Sequence, residues 1–148
     1  MANRLGFQAI TYRNKASYAS PDWGNVRRIR DNVLSIAIGE WDASNRGGGG
    51  FEEFLPTLIG SGAEFSLLQG TSAADLADFN AFRDAALNRT PIEMLILDGT
   101  ISVSGVQGLR VTMAVFSFTR NEALRDGIAY DVSVKPTPAD NPPQWITY

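Results

Sequence analysis

The side chains that most often carry out chemistry in enzymes are missing from this sequence. Its 148 residues include no histidine and no cysteine, so the usual general base and the thiol nucleophile are both absent. A Ser-His-Asp triad, a disulfide framework and a thiolate zinc site are excluded for the same reason. Carboxylates are available, but Asp42, Asp75 and Asp78 do not follow a calcium-loop spacing. The sequence therefore predicts no enzyme, no cofactor and no metal site.

Four consecutive glycines, Gly47–Gly50, form the segment that most resembles a phosphate-binding loop. In such a loop the glycines lead into Lys and Ser or Thr at the start of a helix. Here they lead into Phe51-Glu52-Glu53, whose carboxylates would repel phosphate. Glycines also allow positive φ angles or the close approach of a partner's backbone. We therefore interpret residues 40–60 as an inserted interaction loop.

This loop carries large apolar side chains of its own, among them Trp41, Phe51, Phe54 and Leu55. Large exposed apolar patches are uncommon on soluble monomers, so we expect these residues to contact a neighbouring subunit. An ordinary surface loop with a flexible tip is the alternative.

Composition limits the remaining classes. Thirteen basic and sixteen acidic residues give a net charge of −3, which argues against a protein that grips nucleic acid. The 44% hydrophobic and 20% charged content is typical of a globular protein, and we expect one domain over residues 1–148. No apolar run approaches the roughly 20 residues of a membrane span. We expect synthesis in a cytoplasm, since no secretory signal is evident.

Hydrophobic periodicity predicts a mainly β chain. Alternating or continuous apolar segments indicate strands at 5–12, 26–39, 63–68, 92–97, 109–119 and 128–135, and residues 100–108 are either a short strand or a connection. Asp98-Gly99 is a hairpin-type turn signal. Prolines at 136, 138, 142 and 143 predict an extended C-terminal arm over 136–148, ending in Trp145 and Tyr148.

One helix interrupts the strands, at Thr71–Arg89. Ser72 is the predicted N-cap, Asp75 imitates a capping box, and Pro91 stops the helix. Phe79, Phe82 and Leu87 recur at helical spacing and are predicted to pack against the sheet. The expected fold is an antiparallel β-sandwich or barrel of about six to seven strands with one packed α-helix.

Several of these segments together resemble the major tail tube proteins of long-tailed bacteriophages and related particles. The resemblance rests on W-D-A-S-N-R-G-G-G-G-F and L-P-T-L-I-G within Trp41–Gly60, on the acidic-aromatic helix with Asp98-Gly99, and on F-S-F-T-R-N-E…V-K-P-T within Phe116–Thr137. It covers roughly Asp31 to Trp145. It implies a tail-tube-like domain whose subunits form hexameric rings that stack into a tube, with other tail proteins as partners. It further implies a place in the virion tail, assembled in the host cytoplasm, and non-specific passage of DNA through the lumen.

On this interpretation the candidate functional residues form subunit interfaces. Arg120, Glu122 and Arg125 lie in or near a predicted turn, and we expect Arg46, Arg120 and Arg125 to form intersubunit pairs with Asp42, Glu122 or Asp126. The predicted interface residues are Trp41, Asp42, Arg46, Gly47, Gly48, Gly49, Gly50, Phe51, Phe54, Leu55, Arg120, Glu122, Arg125, Trp145 and Tyr148.

Other functions remain open at this level. The first is an inner-tube subunit of a related injection machine, such as a secretion system, a tailocin or a gene-transfer particle. The second is a carbohydrate-binding β-sandwich with Trp23, Trp41 or Trp145 as a stacking platform. An all-β hydrolase with paired carboxylates is the third.

Overall fold

The described part of the chain folds into one antiparallel sheet that curves into a half-barrel, with a single α-helix. The computed structural model describes residues 3, 5–125, 127–138 and 141–148. The strands are β1 (Ile10–Asn14), β2 (Trp23–Asn25), β3 (Ile29–Asp42), β4 (Phe54–Leu68), β5 (Ile92–Leu97), β6 (Gln107–Glu122), β7 (Ile128–Pro136) and β8 (Gln144–Thr147), and helix α1 is Ala73–Asn88. Seven strands follow the order β2-β1-β5-β6-β7-β4-β3, and β8 pairs with β6. The predicted fold class, mainly β with one helix, is confirmed.

The longest antiparallel pair, β3 with β4, corrects the interpretation of residues 40–60 as a loop. Trp41 and Asp42 end β3, Phe54 opens β4, and only residues 43–53 connect the two strands. The register runs from Ile29 opposite Leu67 to Asp42 opposite Phe54, with two shifts. Gly and Pro at positions 39, 56, 60 and 62 concealed this pairing in the sequence, because those residues usually interrupt strands.

The main core lies between α1 and one face of the sheet. Phe79 and Phe82 of the helix pack with alternate residues of β4, β5, β6 and β7, which include Phe65, Met113 and Val134. A second, smaller cluster of Tyr12, Leu95, Leu97 and Val106 lies on the other face of β5. The helix packing predicted for Phe79 and Phe82 is confirmed. The prediction for Leu87 is wrong, since Leu87 is 74% exposed.

Two aspartates of α1, Asp75 and Asp78, are buried. Asp75 accepts a hydrogen bond from Arg28 Nε at 2.9 Å, and Asp78 accepts one from Arg13 Nη2 at 2.9 Å. Ser72 caps the helix as predicted, since its Oγ accepts the Asp75 N–H at 3.2 Å. The side chain of Asp75 pairs with an arginine from a distant segment, which local capping rules cannot anticipate.

A bulge in β6 changes which of its aromatic residues are buried. Simple alternation places Phe116 and Phe118 together, opposite Leu109, Val111 and Met113. The register shifts between Val115 and Ser117, so one extra residue of β6 faces its partner strand. Phe118 consequently stacks on Tyr130 at 4.8 Å, whereas Phe116 is 65% exposed.

The C-terminal segment is not wholly a free arm as predicted. Its residues 144–147 form β8, which pairs with Gln107–Arg110 of β6. The Tyr148 N–H donates to the Val106 carbonyl at 2.8 Å, and Trp145 Nε1 donates to Gln107 Oε1 at 2.9 Å. The prolines end β7 as expected, but the chain resumes pairing once they are passed.

The core position of Phe82 gives a first test. Phe82 is fully buried, with its ring edge-on to Phe65 at 5.4 Å. Phe82→Ala should therefore lower the free energy of unfolding by about 3–5 kcal/mol, measured by denaturant unfolding. Leu87→Ala on the exposed side of the same helix is the matched control and should change it by about 0.5 kcal/mol or less. Equal effects of the two substitutions would contradict the packing described.

The Arg28–Asp75 pair gives a second test, of acid stability. The hydrogen bond from Arg28, and then one with Ser72, lowers the pKa of Asp75 below its ordinary 3.8. A carboxyl group with a lowered folded-state pKa stabilises the fold above pH 3.8, and that stabilisation is lost as the pH falls through the folded-state pKa. Asp75→Asn should flatten the fall in melting temperature in this acid range. Asp84→Asn, at an exposed helix position, should leave the wild-type profile unchanged; identical profiles for Asp75→Asn and wild type would refute the assignment.

Candidate assembly interface

The distal half of the β3–β4 hairpin is exposed on both of its faces. All residues from 35 to 42 and from 54 to 60 are exposed, although both segments are β-strand. Eight extended residues span about 25 Å, so this part forms an arm that extends well beyond the packed body. We call residues 35–60 the hairpin arm. Paired strands that bury neither face in their own chain are available to bury them against another molecule.

The apolar side chains of the arm continue the core face of the sheet. Ala63, Phe65 and Leu67 alternate on the buried face of β4. Cross-strand pairing and alternation place Ile36, Ile38 and Ile59 on the same face further out, where they are 50%, 54% and 69% exposed. The core stripe therefore runs past the end of the core, and none of the described residues covers it there.

The opposite face of the arm is also apolar. Trp41 lies opposite Leu55, and both are more than half exposed. Between these two groups β4 has one extra residue, and Leu58 beside this bulge is 86% exposed. Gly39 is required there, because a Cβ at this position would lie 2.3 Å from Thr57 Oγ1. The arm thus presents apolar side chains on both of its faces and beside the bulge.

Hydrogen bonds order the connection at the tip of the arm. Asp42 Oδ1 accepts the Ser44 N–H at 2.9 Å, and the Glu53 N–H donates to Ser44 Oγ at 2.9 Å. Hydrogen bonding with the Ser44 side chain, and then with its N–H, lowers the pKa of Asp42. Gly49 and Gly50 have φ angles of 67° and 87°. Two of the four consecutive glycines therefore adopt the positive-φ backbone conformation that glycine adopts most readily. Phe51, just after them, is 78% exposed.

Of the three arginines predicted to form ion pairs between subunits, Arg120 pairs with a carboxylate of its own chain and, within the described residues, the other two do not. Arg120 pairs with Glu122, two residues along the same strand, and both side chains are more than half exposed. Arg46 and Arg125 form no ion pair with any residue that the structure describes, and Asp126 lies outside the described residues. Asp42 bonds to Ser44 instead of an arginine. Pairing of these groups between subunits stays a prediction.

Trp145 and Tyr148 are far from the arm in the sheet order, on or beside β8. Trp145 is 55% exposed and Tyr148 is 40% exposed, so both retain surface for a partner while their backbones are held by the body. Ile36, Ile38 and Ile59 were missed as candidate interface residues. The apolar run that contains Ile36 and Ile38 resembled a fully buried strand, and Ile59 lay in the segment interpreted as a loop. Sequence alone does not distinguish burial by the same chain from burial by a neighbour.

Over β4 and β7, the sheet face opposite the helix is polar. Glu64, Ser66, Asp131 and Ser133 lie next to one another on β4 and β7, and Ser66 Oγ donates to Asp131 Oδ1 at 3.0 Å. Asn121 Nδ2 donates to the other oxygen of Asp131 at 2.7 Å. Lys135 is the cation of this face on β7, and Arg30 at its β3 margin is paired with Asp31. We call this surface the polar face.

Two further findings concern ions and membranes. Within the described ranges, no group of three or more acidic side chains is arranged to hold a metal ion. None of the helices in those ranges has the length and apolarity needed to cross a bilayer.

Comparison with known proteins identifies the fold. No family model matches the sequence, and no curated protein matches it. Solved structures do match, and each of the following three covers 99% of the chain. One is the tail of an empty gene transfer agent particle with C6 symmetry (TM-score 0.68, 13% identity, 99% of that chain covered). The SPP1 tail tube (0.74, 10%, 80%) and a chain of the anti-feeding prophage baseplate (0.59, 8%, 97%) are two more. The chain therefore has the fold of the tail tube proteins of phages and phage-like particles.

Proposed function

We propose that this protein is a non-enzymatic structural subunit that forms hexameric rings, and that these rings stack into a tail tube. The hairpin arm is the observation that carries the proposal. Its apolar residues on both faces, with Ile38, Trp41 and Leu58 each more than half exposed, would be a liability on a monomer. Against neighbouring subunits the same residues become the core of an interface.

The free edge of the sheet supports the same conclusion. Strand β3 has 14 residues and pairs only with β4 among the strands that the structure describes. Its other side carries a row of backbone N–H and C=O groups, which natural proteins cover or protect against uncontrolled pairing. A closed ring of subunits covers such edges by symmetry.

A conduit for DNA is compatible with the size of the subunit. A compact chain of 148 residues has a radius of gyration of about 15 Å, equivalent to a sphere roughly 38 Å across. Six such spheres in a ring leave a central hole of about the same size, and a duplex needs about 20 Å judged from its groove depths. We assign the polar face to the channel wall, because its serines and carboxylates offer few cations to phosphate.

An inner-tube subunit of a related injection machine is the second candidate. The likeness to a chain of the anti-feeding prophage baseplate favours it, since the same fold occurs in that particle. Both candidate functions require subunits that form rings, and they differ in what passes through the tube. The carbohydrate-binding alternative is weaker, because Trp23 packs on the second core cluster and lies 5.2 Å from the Arg110 guanidinium instead of standing free.

The role of the hairpin arm can be tested by making its core-side face polar. Ile38 and Ile59 lie opposite each other and are both exposed, so Ile38→Ser with Ile59→Ser should leave the circular dichroism and melting temperature of the monomer nearly unchanged. Rings and tubes seen by electron microscopy for the wild type should be lost. Leu87→Ser is the control, because Leu87 is 74% exposed on α1, outside the arm. Normal tubes from the double variant would show that the arm does not join subunits.

The channel assignment has a separate test. Glu64→Lys with Asp131→Lys would turn the middle of the polar face basic, and each phosphate that a wall cation neutralises adds affinity for DNA. Tubes of this variant should still form and should retain short duplex DNA at low salt, with release as salt rises. Tubes of the wild type should retain none. If the lysine variant assembles and binds no more DNA than the wild type, the polar face does not line the channel.

A further inference from the structure

A groove beside the proximal half of β3 has a volume of about 1030 Å³. Its walls come from the segment before β1, from β3 and from the ends of β5, β6 and β8, and they include Phe7, Ile10, Val26, Leu34, Ile96 and Trp145. The groove opens directly onto the main core, since Val26 and Ile96 belong to that cluster. Such a concave apolar surface is suited to receiving a partner's side chains.

We propose that this groove is the receptor for the hairpin arm of a second copy of the chain. The inference rests on the proposed tube function and assigns the surface that the arm contacts. The arm supplies exposed apolar side chains, of which Leu58 at the bulge is among the most exposed at 86%. The groove supplies apolar walls.

Charge supports the same pairing. Residues 40–60 contain four carboxylates (Glu40, Asp42, Glu52, Glu53) and one cation, Arg46, so the arm is acidic. Arg27 lines the groove, forms no direct ion pair with any described residue, and interacts with Asp75 only at longer range. The two groove carboxylates already accept hydrogen bonds or ion pairs, Asp31 from Arg30 and Asp98 from the Gln107 N–H. Arg27 is therefore the cation left to meet an acidic partner.

The floor of the groove contains a second unsatisfied group. Asn32 Nδ2 donates to Thr11 Oγ1 at 2.9 Å, which ties β3 to β1, while Asn32 Oδ1 is buried and has no donor among the described residues. A buried acceptor without a donor destabilises the free chain. A donor from an occupant of the groove would relieve this.

Because arm and groove lie along one strand, the proposed contact would give the assembly a direction. Residues 29–32 and Leu34 of β3 line the groove, and residues 35–42 belong to the arm. Each subunit therefore has one arm and one groove. An interface between unlike surfaces of identical chains propagates head to tail, and it closes into a ring or extends as a helix according to the rotation at each step.

The absence of cysteine from the sequence allows a direct test by cross-linking. Ala9→Cys places one thiol in the groove, and Leu58→Cys places one on the arm. A short bismaleimide should convert the double variant into a covalent ladder of dimers, trimers and larger species on denaturing gels, because every chain carries both halves of the contact. Leu58→Cys alone should give dimers at most. The control pair, Ala9→Cys with Leu87→Cys, keeps the groove thiol and moves the other to an exposed site on α1, outside the arm.

A charge reversal gives a second measurement. Arg27→Glu should raise the protein concentration needed for assembly by about tenfold or more, since it sets a carboxylate against the acidic arm. Arg83→Glu, on the exposed side of α1, should not. Wild-type tubes with neither a ladder nor an Arg27 effect would overturn the groove assignment and leave the tube function intact. A wild type that stays monomeric at all concentrations would instead refute the tube function itself.

Discussion

The antiparallel pairing of β4 holds the packed body and the projecting arm in one rigid piece. Its C-terminal part, Ala63–Leu68, is flanked by β3 and β7 and buries Phe65 and Leu67 in the core. Its N-terminal part continues the same strand and, among the described strands, pairs with β3 alone. Because one strand belongs to both parts, the direction of the arm is fixed by the packing of the body. An interface residue on a paired strand is held more precisely than one on a free loop.

The helix is fixed in position by two different kinds of contact. Phe79 and Phe82 bury apolar surface against the sheet, which stabilises the fold without specifying one orientation. The pairs Arg28–Asp75 and Arg13–Asp78 add direction, since each joins the helix to a distant segment at 2.9 Å. The carboxylates are nearly buried, so losing either arginine would leave a charge without compensation.

A third cluster secures the segment between β1 and β2, which runs over the second face of the sheet. The Arg110 guanidinium lies 3.8 Å from the ring centre of Tyr18 and donates to the Tyr18 carbonyl and to Glu93. Glu93 also accepts from Asn14 at 2.8 Å. Side chains therefore pack on both faces of the sheet in the body. In the arm, by contrast, neither face is covered by any described residue.

The sequence alone determined the class of the fold and the strongest local elements. Periodicity located α1 with its Ser72 cap and the buried stripe of β7, because these depend on residues close together in the chain. The absence of histidine and cysteine excluded whole classes of chemistry without any structure. Only the tertiary structure decided the rest, since long-range pairing overrides local signals. It extended β3 and β4 through glycines and a proline, turned the half-buried Phe118 toward the core through a bulge, and returned the C-terminal segment to β6. It also showed that Ile36, Ile38 and Ile59 lie beyond the body, a property of their surroundings and not of the residues themselves.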